Sequence, residues 1–303
     1  MLKNCAKRKL IITTFSLLVF IITISFPKTE EKIKDISISY TNAPPRAIYV
    51  LNKDDLVVRM TTTTKETDDE KIIQELLNML TIGSLESEYL PAIFKPIIPK
   101  ETKIIDISLE NEILKVNFSK EFLNIPNSNS KNLISSIVYT LTELDNVGGV
   151  LIYVEGDLLK SYPNTSNKLP NVLTRKLGIN EISNLTDFKN TIKTTVYYMA
   201  NEDGFSYYVP VTLLNNTNKD KLEIVIERLK SRPQINTNLM SYLNASTTIS
   251  DSKLDGDTLT LNFNNELYEG LTSDDLKEQV NYAIVMSVKD SLDVSNVVIK
   301  END

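Results

Sequence analysis

Hydrophobic residues in this chain fall into three patterns: one long uninterrupted block, several short runs of alternation, and four stripes at helical spacing. The block is Leu10–Phe26, LIITTFSLLVFIITISF, seventeen residues without a charge. At 1.5 Å per residue it spans roughly 25 Å, the short end of a membrane crossing. From residue 46 the pattern changes. Strands are expected near 47–51 and 56–62, where Leu56, Val57 and Val58 precede a run of Thr. Ile72, Ile73, Leu76, Leu77 and Leu80 form one face of a helix over about 68–81, with Thr67 and Glu70 at capping-box spacing. Pro91, Pro96 and Pro99 then exclude helix. Ile105, Ile107 and Leu109 alternate, turn at Asn111-Glu112, and pair with alternating Leu114, Val116 and Phe118. A second helix carries Leu133, Ile134, Ile137, Val138 and Leu141, and a last strand is 149–154.

The same order then recurs. Strands at 194–200 and 205–212 flank Asp203-Gly204, and Leu222, Val225, Ile226 and Leu229 mark a helix. A hairpin turns at Asp255-Gly256. Leu276, Val280, Ala283, Ile284 and Val288 mark a final helix, with Thr272 and Asp275 at capping spacing. Three landmarks fix the repeat. Ile48–Leu51 corresponds to Val196–Met199, Leu114–Phe122 to Leu259–Leu267, and Val150–Ile152 to Val297–Ile299, at offsets of 148, 145 and 147 residues. So long a period means duplicated domains rather than a solenoid. The predicted fold is α+β: two tandem small α/β sandwich domains, each β-β-α-β-β-α-β with helices covering one face of a small sheet, after an N-terminal transmembrane helix. The expected division is a basic tail (1–9), a transmembrane signal-anchor (10–27), a polar linker (28–45), a first domain (46–156), a connector (157–190) and a second domain (191–303).

Composition narrows the chemistry. The 303 residues include no His and one Cys, Cys5, so Ser-His-Asp and Cys-His catalysis, His-ligated metals and disulfides are all excluded. The net charge is −7, although Lys3, Lys7, Arg8 and Lys9 precede every acidic residue. The body is therefore more acidic than the whole, which argues against a nucleic-acid partner. It also argues for a monomer when the outer domains are isolated. Basic residues ahead of the apolar block place the C-terminal domains outside the cytoplasm. Ser25-Phe26-Pro27-Lys28 offers no small-residue cleavage site, so an uncleaved anchor is expected, with a cleaved signal peptide as the competing reading.

Four segments carry a family resemblance: the helix, proline-marked loop and hairpin entry from Leu76 to Pro99; the strand end Leu114–Ser119; the segment Leu173-Thr174-Arg175-Lys176-Leu177-Gly178-Ile179-Asn180; and the strand Tyr208-Val209-Pro210-Val211-Thr212. In this order they resemble the GerM-type sporulation proteins of spore-forming Firmicutes, which carry two tandem GerMN domains. The likeness covers roughly residues 46–300. It implies a ring-building-motif-like fold, similar to domains that stack side by side in secretion-system rings. It also implies a role between the mother-cell and forespore membranes, supporting the channel complex that links the two cells, with effects on germination. The family's better-known members are lipoproteins. Cys5 lies before the apolar run rather than just after it, so anchoring is read from Leu10–Phe26 instead.

The polar clusters favour structural roles. Asp68-Asp69-Glu70 fits a helix N-terminus, where carboxylates complement the dipole. Asp251, Asp255 and Asp257 lack the Gly and Glu of a calcium loop and fit a turn. Glu121 and Glu266 match between repeats, so they belong to separate copies rather than to one two-carboxylate cleft. Ser128-Asn129-Ser130-Lys131 fits a helix cap. No catalytic, cofactor or metal residues are therefore assigned. Tyr197, Tyr198, Tyr207 and Tyr208 cluster on one hairpin, where alternation sends Phe205, Tyr207 and Val209 to one face and Tyr208 to the other. Core packing is the expected use of the cluster; an exposed member could anchor a partner, and Tyr208 is the candidate contact. Two function classes follow: a non-catalytic extracytoplasmic assembly protein of spore formation, held to the membrane by its N-terminal helix and binding protein partners in the intermembrane space, or an envelope enzyme or glycan-binding protein acting on cortex or cell wall.

Overall fold

The computed structural model describes residues 44–183, 191–231 and 238–301. Cys5, the basic tail and the apolar block Leu10–Phe26 lie outside them. The first copy contains strands β1 (Pro45–Leu51) and β2 (Val57–Thr63), helix α1 (Asp69–Met79), strands β3 (Ile104–Glu110) and β4 (Ile113–Phe118), helix α2 (Ser130–Leu141) and strand β5 (Gly149–Val154). The second contains β8 (Thr191–Glu202), β9 (Phe205–Asn216), α3 (Lys221–Leu229), β10 (Ile249–Asp255), β11 (Thr258–Phe263), α4 (Asp274–Leu292) and β12 (Asn296–Glu301). Both follow the order β-β-α-β-β-α-β. Two short strands lie between them, β6 (Asp157–Leu158) and β7 (Ile182–Ser183).

The duplication reaches the details of register. β3 pairs antiparallel with β4 and slips between Ile104 and Asp106; β10 pairs with β11 and slips between Ile249 and Asp251. β4 then runs parallel to β5 with Leu114 opposite Val150, and β11 parallel to β12 with Leu259 opposite Val297. Phe118 and Phe263 end the two hairpins, both fully buried. In the first copy Phe122 stacks on Phe118 at 4.5 Å. Leu267, also fully buried, stands in the position of Phe122 in the second.

The helices follow their apolar stripes. Ile72, Ile73, Leu76, Leu77 and Leu80 are buried on α1, and Val280, Ala283, Ile284 and Val288 on α4. Their caps sit one residue later than the spacing predicts. Asp68, not Thr67, accepts from the Lys71 amide, and Ser273, not Thr272, accepts from Leu276. Each alternative is an equally good capping type, and the backbone places the second of the pair at the N-cap. The turn of the second copy is also shifted by one. Asp255 pairs with Thr258, leaving Gly256-Asp257 as the loop, and Gly256 supplies the positive φ of +58°.

The larger departure from expectation is in the sheets. Each copy was expected to hold its own small sheet. Instead β1-β2 and β8-β9 join into one sheet, through β2 and β9, while β3-β4-β5 and β10-β11-β12 form separate sheets. The cause is that each hairpin has an unpaired edge strand, and the two edges satisfy each other. β2 and β9 pair antiparallel at Arg59 and Tyr208. Two residues on, Pro210 has no amide to donate. There the Asn180 side chain replaces the ladder: its Nδ2 donates to the carbonyls of Val57 (2.7 Å) and Pro210 (2.8 Å), and its Oδ1 accepts from the Val57 amide (2.9 Å). β7 adds a parallel pairing on the same edge of β9. The two copies thus form one compact unit.

Candidate functional site: the joint between the repeats

Equivalent elements meet at the joint as a two-fold relation requires. β2 and β9 correspond and run antiparallel. Tyr49 on β1 and Tyr197 on β8 correspond, and their hydroxyls lie 3.1 Å apart. Each tyrosine is held at its backbone by the second helix of its own copy: the Tyr49 amide donates to Thr140 Oγ1 at 2.9 Å, and the Tyr197 amide to Ser287 Oγ at 2.8 Å. Each hydroxyl then reaches an acid at the end of that helix, Glu143 at 2.8 Å and Asp290 at 2.6 Å.

One cation serves both acids. Arg175, from the segment between the copies, donates Nη2 to Glu143 at 2.7 Å and Nη1 to the two oxygens of Asp290 at 2.9 and 3.2 Å. Its Nε donates to Thr142 Oγ1 at 3.0 Å, and Nη2 also to the Tyr139 carbonyl at 3.2 Å. The guanidinium lies 4.9 Å from the Tyr139 ring centroid. The planar fork of arginine suits this double demand; a lysine ammonium does not. Arg59 adds a second charge beside Glu143 at 3.4 Å and covers the Tyr282 ring at 4.8 Å.

The segment is shaped to deliver Arg175. Thr174 caps a single turn at Arg175–Leu177, and the Tyr139 hydroxyl binds the Arg175 carbonyl at 3.0 Å. Gly178 follows at φ +83°, where a Cβ would stand 2.8 Å from the Lys193 side chain. Asn180 then makes the bridge between β2 and β9. The four groups lie within the connector motif Leu173–Asn180.

The electrostatics follow from burial against neighbouring charge. Side-chain exposure is 17% for Arg175, 16% for Glu143 and 6% for Asp290. Burial alone would raise the Glu143 pKa, but Arg175 and Arg59, with hydrogen bonds from Arg175 and Tyr49, hold it down at about 2. Burial pushes the Tyr49 and Tyr197 hydroxyls well above the usual tyrosine range, helped by Glu143 and Asp290. Burial opposes the Arg175 charge, yet Asp290 and Glu143 raise its pKa further. A folded pKa below the unfolded one stabilises above the unfolded value, near 4.3, and the effect is lost as pH falls toward 2. Urea titrations at pH 5 and pH 2.5 should show wild type losing about 2 kcal/mol more than Glu143→Gln across that range. Parallel losses would contradict the pairing.

A cleft of about 640 Å³ opens beside the joint, floored by Glu143, Arg175 and Asp290 and rimmed by Asp145, Lys176 and Asp293. Tyr208 lies opposite Arg59 in the pairing of β2 with β9. It is half-buried, with its ring 4.5 Å from that of Tyr282, and burial raises its pKa to about 12. Its neighbour Tyr207 is buried and meets the Phe94 ring at 5.2 Å, while Phe205 is 45% exposed.

The acidic clusters singled out in the sequence are dispersed. Asp68 caps α1, with Asp69 and Glu70 in its first turn. Asp251, Asp255 and Asp257 are exposed on the β10–β11 hairpin. Glu121 is lowered by a hydrogen bond from Ser119, whereas Glu266 is raised by Glu269, so the two equivalent carboxylates occupy unlike settings. Ser128 donates to Asn129 Oδ1 within a tight turn and does not cap the helix.

Glu143, Asp290, Arg59 and Arg175 were not singled out as a site, although two signals pointed to them. An acid stands at the C-terminal end of the same helix in both copies, where the helix dipole favours a cation. Arg175 lies inside the connector motif.

A family model described as Germane, sporulation and spore germination, matches residues 47–160 and 195–303, and the chain belongs to that family. It is 29% identical over 264 residues to the spore germination protein GerM of Bacillus subtilis (strain 168), covering 85% of this chain and 71% of that protein. Its fold is similar to the tandem GerMN domains of the sporulation protein GerM from Bacillus subtilis, with a TM-score of 0.75 at 27% identity, over 86% of this chain and 91% of that one.

Proposed function

We propose that this protein is a non-catalytic assembly protein of spore formation. It is anchored by Leu10–Phe26, stands outside the cytoplasm between the mother-cell and forespore membranes, and supports the channel complex there through contacts with other proteins. Its GerMN domains act as modules of the ring-building kind. One observation carries the reading: the strongest polar constellation is consumed internally. Every nitrogen of the Arg175 guanidinium is bound, Glu143 is held ionised, and Tyr49 and Tyr197 are held protonated, so none of these groups is poised for proton transfer near neutral pH. The site works as a clamp that fixes the two domains as one rigid surface.

The two-fold character of that clamp has a consequence for assembly. An interface between equivalent patches closes on itself and does not propagate. Larger assemblies must therefore use other surfaces of the pair.

The competing enzyme or glycan-binding reading is decided by complementation in sporulating cells with full-length chain. Glu121→Gln, Glu266→Gln and Asp68→Asn should each leave sporulation intact. Reversing the exposed cleft rim with Asp145→Lys and Asp293→Lys should lower recruitment several-fold at unchanged abundance. A single carboxylate-to-amide change that abolishes sporulation without altering abundance or localisation would overturn the proposal.

A further inference from the structure

Strands at or next to the borders of the three sheets differ in how their outer edges are finished. Backbone groups of Leu51, at the end of β1, pair with Lys95, and Met199 on β8 pairs with Met240. β3 and β10 are broken by register slips beside Asp106 and Asp251, and β10 also carries Lys253 and Asp255. Slips and charges of this kind are how exposed edges are kept from pairing. β5 is covered by its own chain. Val150 exchanges both backbone hydrogen bonds with Leu173 at 2.8 Å, the Leu159 amide donates to Ile152 at 2.8 Å, and β6 pairs antiparallel beside Tyr153 and Val154.

β12 is the equivalent of β5, and among the described residues nothing covers its outer edge. The duplication makes β5 an internal control. Val150 and Ile152 are buried, whereas their equivalents Val297 and Ile299 remain half-exposed. Val298, on the opposite face, is 40% exposed. Register places the backbone groups of Val297 and Ile299 outward, as those of Val150 and Ile152 are. β12 has neither the slip of β10 nor a charge between Asn296 and Ile299.

We propose that the outer edge of β12 pairs antiparallel with β12 of a second copy of this chain, joining two three-stranded sheets into one of six. An antiparallel segment is what β5 accepts at the same place. The sequence is self-complementary in the register centred on Val298, one of those that keep the inward residues on one face. Val298 meets Val298 of the second copy, Val297 meets Ile299, Asn296 meets Lys300, and Ser295 meets Glu301, so no like charges face each other. This departs from the monomer expected from net charge. Repulsion between acidic bodies is screened beyond about 8 Å at physiological salt, whereas the strand contact is local. It goes beyond the assembly role proposed above and stands or falls separately from it.

In the centred register Val298 is a non-hydrogen-bonded pair with itself, where Cα atoms are about 4.5 Å apart, within disulfide reach. The test uses full-length chain in its membrane, with Cys5→Ser removing the native thiol. Val298→Cys should form a covalent dimer on mild oxidation. Lys300→Cys, opposite Asn296, and Asp255→Cys, on the charged edge, should form at least ten-fold less. Val297→Pro, which removes an outward-facing amide and leaves the ladder to β11 intact, should abolish dimers read through a remote chemical cross-linker while leaving the unfolding midpoint within a few degrees. A Val298→Cys chain that reacts with a maleimide yet stays monomeric would overturn the proposal. So would equal dimer yield at Asp255→Cys, or exclusive cross-linking of Val298→Cys to a different protein.

Discussion

Replacing Arg175 with alanine is expected to lower the unfolding free energy by about 3–5 kcal/mol, the cost of leaving buried charges without their partner. Glu143 and Asp290 are both held by this one side chain, and Asp290 is 6% exposed. Among the described residues, removing it leaves Asp290 with the Tyr197 hydroxyl and Glu143 with Tyr49 and the longer contact to Arg59. Arg175→Lys should recover only part of the loss, because a point charge cannot reach two acids, a threonine and a carbonyl at once. The fourfold change Arg175→Met, Arg59→Met, Glu143→Leu, Asp290→Leu should cost less than Arg175→Ala alone, since it leaves none of the four charges unpaired. Urea unfolding of the four proteins reads this directly. A loss below about 1 kcal/mol for Arg175→Ala would show that water, rather than the protein, solvates the acids.

Phe118→Ala and Phe263→Ala should each cost about 3–5 kcal/mol, through lost apolar burial and the cavity left behind. Both side chains are fully buried at the end of the central hairpin of their copy. Because the copies share a sheet and a charged joint, either change should lower one common unfolding transition. A chain in which Phe118→Ala unfolds the first half while the second persists would contradict that coupling. A change under about 1 kcal/mol would mean that the residue is solvent-facing.

The elements themselves were legible because each pattern had a single reading. Alternation at Leu114, Val116 and Phe118 and the stripe of Ile72, Ile73, Leu76, Leu77 and Leu80 suit only a half-buried strand and an amphipathic helix. The repeat was legible because its landmarks keep their spacing. The shared sheet was not, since alternation says which face of a strand is buried but not whose edge it pairs with. The short strands β6 and β7 carry too few residues for a period to show. Caps shifted by one where two capping residues adjoin, as at Thr67-Asp68 and Thr272-Ser273. The charged joint draws residues from β2, the end of α2, the connector and α4, a convergence that no local window contains. Alternation separates Tyr208 from Tyr207 but does not say what lies over either face; the face of Tyr208 carries the joint, with Arg59 opposite it. The equivalence of Tyr49 with Tyr197 was in view, and extending it to the helix ends would have exposed Glu143 and Asp290 as a matched pair.

Native-state hydrogen exchange of the full-length chain, followed by mass spectrometry, tests most directly whether the two repeats are one cooperative body. The Tyr49 and Tyr197 amides, buried donors to Thr140 and Ser287, report the two halves. Segments 46–51 and 194–200 should open with a single free energy in wild type, and Arg175→Ala should lower both by the same amount. Two distinct opening free energies, with Arg175→Ala moving only one of them, would contradict it.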